Sequence, residues 1–254
     1  MRSVELVLSD IDGTIVPIRG EKPSPAVLDS INAVQDSGRK ITAVTGRPLE
    51  MALPLIENAN LHGLNIFDAG ATIVNSESGK IEWRKWLDPK SLQEIAKILL
   101  PHSVEVDFFP EWSQVHPDQV TVKDITEAAP YGWAFIHKSA HQEVEKKLKL
   151  IDDISVHFGP GDEGNPGLQD VQITHEYADK MHAVAALRKI VHSDTCHTLA
   201  IGDSSNDLPL LAAARIKVAM GNASSTLKTA ANHIVAPVEQ DGFAEAMDRF
   251  VLLS

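Results

Sequence analysis

Asp10 and Asp12 stand one residue apart at the end of the apolar run Val4–Leu8, with Gly13 and Thr14 directly after them. Two carboxylates at that spacing repel one another, and an apolar neighbourhood makes the repulsion costlier. The same "DIDG" stretch also suits a plain turn, since Asp favours turns and Gly tolerates positive φ. Residues at the ends of other apolar runs weigh on the choice. "ITAVTGR" places Thr45, Gly46 and Arg47 after a second run. A hydroxyl and a backbone N–H at a helix start suit a phosphate, or serve simply as a cap. "LAIGDSSNDLPLL" places Asp203 and Asp207 after a later run, with Asn206 between them. One helical turn would put both carboxylates on one face. Asp10, Asp12, Asp203 and Asp207 converging on one sheet edge call for a hard divalent cation with oxygen ligands, most simply Mg²⁺. Lys180 opens "KMHAVAAL" just before the run that ends in Asp203. A lysine at a helix start is ordinarily solvated surface, but a compact ammonium beside a phosphate and a carboxylate would neutralise charge.

The elements that must position these residues follow from periodicity. Val4–Leu8 and Lys40–Val44 read as buried strands, Ser24–Ser37 as a helix ending at Gly38, and a further helix follows "TGRP" through Ile56. Ile66–Phe67 and "AGATIV" (Ala69–Val74) read as two short strands. After residue 180 the alternation returns: helix Met181–Val191, strand "HTLAIGD", helix Leu208–Ala214, strand "KVAM", helix Ser224–Ala231, strand "HIVA" and a final helix Gly242–Leu253. Strands alternating with helices make a doubly wound, Rossmann-like parallel sheet, and sites in such sheets lie beyond the carboxyl ends of the strands.

The middle of the chain has another texture. From about Glu82 to Thr174 it holds all four tryptophans (Trp83, Trp86, Trp112, Trp133). A helix Asp88–Leu100, with Asp88 as N-cap and Pro89 at its first position, and a second helix Ser139–Leu150 are predicted there. "VEVDFF", "QVTVK", "WAFIHK", "ISVHF" and "LQDVQIT" read as strands of an antiparallel sheet, joined in part by the loop "GPGDEGNPG". The expected organisation is α/β: residues 1–82 and 175–254 form one core, and residues 83–174 an inserted α+β module.

Composition bounds the function. The 254-residue chain is 43% hydrophobic and 23% charged, as in an ordinary globular protein. Its net charge of −12 argues against sequence-independent nucleic-acid binding, which rests on Lys and Arg at phosphates. No apolar run reaches the roughly 20 residues of a membrane span. A single cysteine, Cys196, and no secretory apolar segment make the cytoplasm the expected location. His137 and His141 lack an acidic partner in any motif, and Cys196 lacks a nucleophile pattern. The Trp-rich module uses its aromatics first as a core.

The motifs "DIDGT" (Asp10–Thr14), "VTGRP" (Val44–Pro48), Lys180 in "ADKMHAV" and "GDSSND" (Gly202–Asp207) stand in an order that resembles the haloacid dehalogenase (HAD) superfamily of phosphohydrolases. The chain is similar to its Cof-type, or IIB, branch, whose cap is inserted between the second and third motifs; "VAMGNA" and "DGFAEAM" resemble that branch's later landmarks. The resemblance implies a Mg²⁺-dependent phosphatase acting on a small phosphorylated metabolite such as a sugar phosphate or a phosphoglycolate-like acid. Asp10 would be the nucleophile and Asp12 the general acid and base. Thr45 and Lys180 would hold the phosphoryl group, and Gly46, Arg47 and Asn206 would contact phosphate or substrate. Asp10, the Asp12 carbonyl, Asp203 and Asp207 would bind the metal. A phosphomannomutase-like phosphotransferase and a phosphate-binding module without turnover are the rival readings. The chain departs from many relatives at Ala69-Gly70-Ala71, where they carry Asn-Gly-Ala, at Met181 in place of Gly, and in a shorter cap.

Overall fold

The computed structural model describes residues 3–18, 20–108, 110, 115–159 and 165–253. In chain order these form β1 (Leu6–Ser9), α1 (Pro25–Asp36), β2 (Lys40–Ala43), α2 (Leu49–Asn58), β3 (Leu64–Phe67), β4 (Thr72–Asn75) and β5 (Ile81–Arg84). Then come α3 (Pro89–Leu99), β6 (Ser103–Asp107), β7 (Tyr131–His137), α4 (His141–Leu148), β8 (Ile154–Phe158) and β9 (Leu168–His175). The chain closes with α5 (Lys180–Val191), β10 (Thr198–Gly202), α6 (Leu208–Ala212), β11 (Ile216–Ala219), α7 (Ser225–Ala230), β12 (His233–Ile234) and α8 (Gly242–Met247).

Two compact units emerge: residues 1–83 with 180–254, and residues 84–179. The first holds a five-stranded parallel sheet in the order β12-β11-β10-β1-β2. All four residues of β1 and all five of β10 are buried, the continuous apolar run that a parallel sheet covered on both faces requires. Val44 bridges to Ile66 of β3, which opens the smaller sheet β3-β4-β5. Helix α1 buries Val27, Ile31 and Val34 at helical spacing, and Ser24 caps it by accepting from the Val27 N–H. The second unit has its own core, built from Leu92, Ile95 and Leu99 of α3 against Val106, Ala134, Ile136, Val171 and Ile173 of the antiparallel sheet β6-β7-β9-β8. The architecture is α/β with a parallel core sheet and a separate antiparallel module.

Three local expectations are corrected. "QVTVK" is not a strand: it lies across the two 3₁₀ turns Pro117–Gln119 and Val122–Asp124. The Asp124 carboxylate accepts from the Thr121 N–H at 2.7 Å and from its hydroxyl at 2.8 Å, so a local capping box overrides the β-branched pattern. "AGATIV" is strand only from Thr72, because Asp68–Gly70 turn through left-handed backbone. The last helix is α-helical only through Met247 and continues as a π turn over Asp248–Leu252. Strand β5 went unforeseen; it follows the turn in which the Gly79 N–H donates to the Asn75 carbonyl. Trp112 and most of the loop "GPGDEGNPG" lie outside the described residues.

Candidate active site

Ser9 pairs with Ile201 on one side and with Ala43 on the other, so Asp10, Gly202 and Val44 leave three adjacent strands at one level. The Asp10 N–H still donates to the Ile201 carbonyl at 3.1 Å, which makes Asp10 the last rung of the central ladder. This register places Thr45 and Asp203 one residue further on, at the same carboxyl edge.

Asp10, Asp203 and Asp207 each offer a carboxylate oxygen within 4.8 Å of the others. Lys180, at the first position of α5, reaches in and donates to Asp10 Oδ1 and Asp207 Oδ1, each at 2.7 Å. Its side chain is 6% exposed, so it belongs to the site and not to the surface. Burial alone would lower the ammonium, but the carboxylates of Asp10 and Asp207 outweigh it and hold Lys180 charged. Burial first, and then the charge of Asp207, push the Asp10 carboxyl up to about 8. Asp203 rises to about 6, again by burial and then by Asp207. Three acids against one lysine leave an excess of negative charge when all are ionised.

Asp207 does not share a helix face with Asp203, as one turn of helix would have it. Residues Ser205–Asp207 form a 3₁₀ turn, and Asp207 Oδ2 folds back to accept from the Asp203 and Ser204 N–H groups, each at 3.1 Å. Those backbone donors, exposed by the end of β10, are what draw the carboxylate back. Two glycines make room for this packing. A Cβ on Gly202 would lie 2.5 Å from Asp207 Oδ2, and one on Gly13 2.3 Å from Asp203 Oδ2. Gly13 also has φ +75°, a left-handed backbone that L side chains rarely adopt.

Asp12 turns elsewhere. Its carboxylate receives a two-pronged contact from Arg47: Nε donates to Oδ2 at 2.8 Å and Nη2 to Oδ1 at 2.5 Å. That hydrogen bond outweighs burial and raises the guanidinium further. Thr45 is buried, donates its N–H to the Ile66 carbonyl, and accepts from the Arg47 N–H at Oγ1 (3.0 Å). Asn206 is exposed and takes a short hydrogen bond from the Ser204 hydroxyl. Gly46 lies between Thr45 and Arg47 in the same loop. Of the predicted acids, the structure therefore gathers three with Lys180 and gives the fourth to Arg47.

One residue of this site escaped the sequence reading of side-chain roles. Asn222, in "VAMGNA", donates Nδ2 to the Gly13 carbonyl at 2.9 Å, approaches Asp203 Oδ2 at 3.5 Å, and accepts from the Val238 N–H at 2.9 Å. It ties the loop after β1 to the loop after β10. The motif was visible, but nothing in its composition pointed across 209 positions to Gly13.

A parallel sheet whose carboxyl edge gathers three acids around a buried lysine defines an α/β protein with an anionic site for cation and phosphate chemistry. The chain belongs to the haloacid dehalogenase-like hydrolases, whose family model matches residues 7–157 and 164–247. It is 24% identical over 254 residues to the 5-amino-6-(5-phospho-D-ribitylamino)uracil phosphatase YcsE of Bacillus subtilis, spanning 98% of this chain and 96% of that protein. It is 23% identical to a phosphoglycolate phosphatase of Nitrosopumilus maritimus, over 94% of this chain and 93% of the relative. Among solved structures, a haloacid dehalogenase-like hydrolase from Bacteroides thetaiotaomicron superposes with a TM-score of 0.79 at 23% identity, covering 97% of this chain and 99% of that one. A sugar phosphatase of HAD subclass IIB superposes at 0.78 and 22% identity, with 97% and 99% covered. Among the described residues, no helix is long and apolar enough to cross a membrane.

Proposed function

We propose that the protein is a phosphatase that hydrolyses small phosphomonoesters through an aspartyl phosphate on Asp10. The observation that carries this reading is the division of the acids: Asp10 lies with Lys180, Asp203 and Asp207, while the Asp12 carboxylate is held by Arg47. Asp10 attacks phosphorus, and the bond between phosphorus and the leaving oxygen breaks as Asp12 delivers a proton to that oxygen. Asp12, now a carboxylate, then takes a proton from the water that attacks the aspartyl phosphate, which releases inorganic phosphate and restores Asp10. Lys180 and Thr45, with the Gly46 N–H, hold the phosphoryl oxygens through both steps, and Asn206 serves as a lesser contact at the rim.

The donor set fits a hard divalent cation: every candidate ligand is an oxygen, and once Asp10 and Asp203 give up their protons three carboxylates face one ammonium. Asp10, Asp203 and the Asp12 main-chain carbonyl would hold Mg²⁺, with Asp207, whose oxygens already accept from Lys180, Asp203 and Ser204, ligating directly or through water. When bound, the ion screens carboxylate from phosphate and stabilises charge developing on the phosphoryl oxygens. Residues 84–179 would act as the cap that reads the leaving group. The names of the relatives favour a phosphorylated sugar, a ribityl-type phosphate or phosphoglycolate as the substrate class.

The test is phosphate release from 4-nitrophenyl phosphate and from a panel of sugar and hydroxy-acid phosphates, with Mg²⁺ and with EDTA. Turnover should require Mg²⁺ and be lost in Asp10→Asn. Full activity in Asp10→Asn would refute the covalent route, and transfer to a second hydroxyl without phosphate release would favour the mutase reading.

A further inference from the structure

Arg47 does something other than what its place after Thr45 and Gly46 first implies. Its Nε and Nη2 are committed to the two oxygens of Asp12, and Nη2 also donates to the Gly20 carbonyl at 3.2 Å. The residue is itself fixed from behind: its N–H donates to Thr45 Oγ1, and its carbonyl accepts from the Asp68 N–H, each at 3.0 Å. Asp12 is the more open of the two leading acids, its side chain 30% exposed against 10% for Asp10. Packing therefore constrains its rotamer less, and a planar guanidinium fork, which matches a carboxylate in direction as well as charge, constrains it more. These bonds run through Nε and Nη2, which fixes the plane of the guanidinium against the carboxylate and leaves the Nη1 group outside the clamp.

We infer that Arg47 is a positioning residue that acts on the reaction through Asp12, orienting the carboxyl group that serves the leaving oxygen, and that it does not act by binding the phosphoryl group. The Gly20 contact extends the same clamp to the loop that follows β1. A lysine in its place supplies charge but no fork, so Arg47→Lys separates orientation from electrostatics. The inference rests on the phosphatase chemistry proposed above.

Leaving-group dependence tests it. 4-Nitrophenolate departs without needing a proton, whereas an alkoxide needs one, and positioned acid catalysis contributes about 10²–10⁴-fold. Arg47→Lys and Asp12→Asn should each lower kcat/KM, which reports formation of the aspartyl phosphate and not its hydrolysis, for alkyl phosphates at least about tenfold more than for 4-nitrophenyl phosphate. The inhibition constant of inorganic phosphate should move less than kcat/KM for the alkyl esters. In the double variant, Arg47→Lys should add little to Asp12→Asn on alkyl substrates, because both act on one group. Equal losses on both substrates, with weaker inhibition by phosphate, would make Arg47 a phosphate ligand and overturn the inference while the phosphatase reading stands. Additive losses in the double variant would overturn it as well. A wild-type protein that releases no phosphate from any of these esters with Mg²⁺ overturns both.

Discussion

The acids around Lys180 should make the metal-free protein lose stability as pH rises, and the slope is calculable. Asp10 titrates near its ordinary 3.8 in the unfolded chain and at about 8 in the folded one. A folded-state value above the unfolded one means that stabilisation is fully present below about 4 and is lost as pH climbs towards 8. Between those limits folding takes up close to one proton, so unfolding free energy falls by roughly 1 kcal/mol per pH unit. Asp203, raised to about 6 and partly exposed, adds a smaller fall at the acid end of the window. The cost arises mainly from burying a carboxylate beside Asp207, a repulsion that Lys180 only partly offsets. Asp10→Asn keeps the shape and removes the proton uptake.

Urea unfolding at pH 5, 6, 7 and 8 in EDTA is the assay. Wild type should lose stability across the series, and Asp10→Asn should show a clearly flatter profile and exceed wild type at pH 8. Saturating Mg²⁺ should flatten the wild-type profile too, since a bound cation takes the proton's place. A wild-type stability that rises with pH in EDTA, or identical slopes for the two proteins, would show that Asp10 is not held protonated by its surroundings.

Removing the other charge should act in the opposite sense: Lys180→Met leaves buried acids without their cation and should cost about 3–5 kcal/mol at pH 7 in EDTA, recovered in part at pH 5, by the same urea assay. Gly13→Ala should destabilise by more than about 1 kcal/mol from backbone conformation alone, and the displaced Asp203 should weaken Mg²⁺ binding by titration calorimetry. Asn222→Ala removes hydrogen bonds that join Gly13 to the Val238 backbone and should lower thermal stability by about 1–2 kcal/mol while raising the Mg²⁺ concentration needed for half-maximal turnover. Ala69 sits at φ 54°, so Ala69→Gly or Ala69→Asn should stabilise the protein by about 1 kcal/mol in thermal melts.

That last position shows how far sequence reading reaches. The departure from Asn-Gly-Ala was visible in the chain, but its cost came into view only with the left-handed backbone at Asp68 and Ala69. Helix α3 was legible in full because its signals are local: the Asp88 carboxylate accepts from the Lys90 and Ser91 N–H groups, and Pro89 opens the first turn. The buried strands β1 and β10 were legible for the same reason, as continuous apolar runs. "QVTVK" misled because a period-2 pattern cannot reveal that Thr121 and Asp124 satisfy one another. The convergence of Asp10 with Asp203 followed from motif order, since parallel strands put their carboxyl ends on one edge. Which cation serves which acid did not, because such pairings are set by loops and rotamers.

The two acids of the first motif are separated by their partners more than by their spacing. Lys180 lies 170 residues from Asp10 in the chain and binds it in common with Asp207, within a cluster that retains an excess of negative charge. Arg47 lies 35 residues from Asp12 and donates to both its oxygens, at the more exposed rim. An acid in an over-negative buried cluster seeks a cation and is poised to exchange a proton for one. An acid gripped by a two-pronged guanidinium is held in one orientation. One motif thus places two carboxylates on adjacent turns of chain with opposite electrostatic assignments. The residues that decide between them are Arg47 and Lys180, each acting on its own acid.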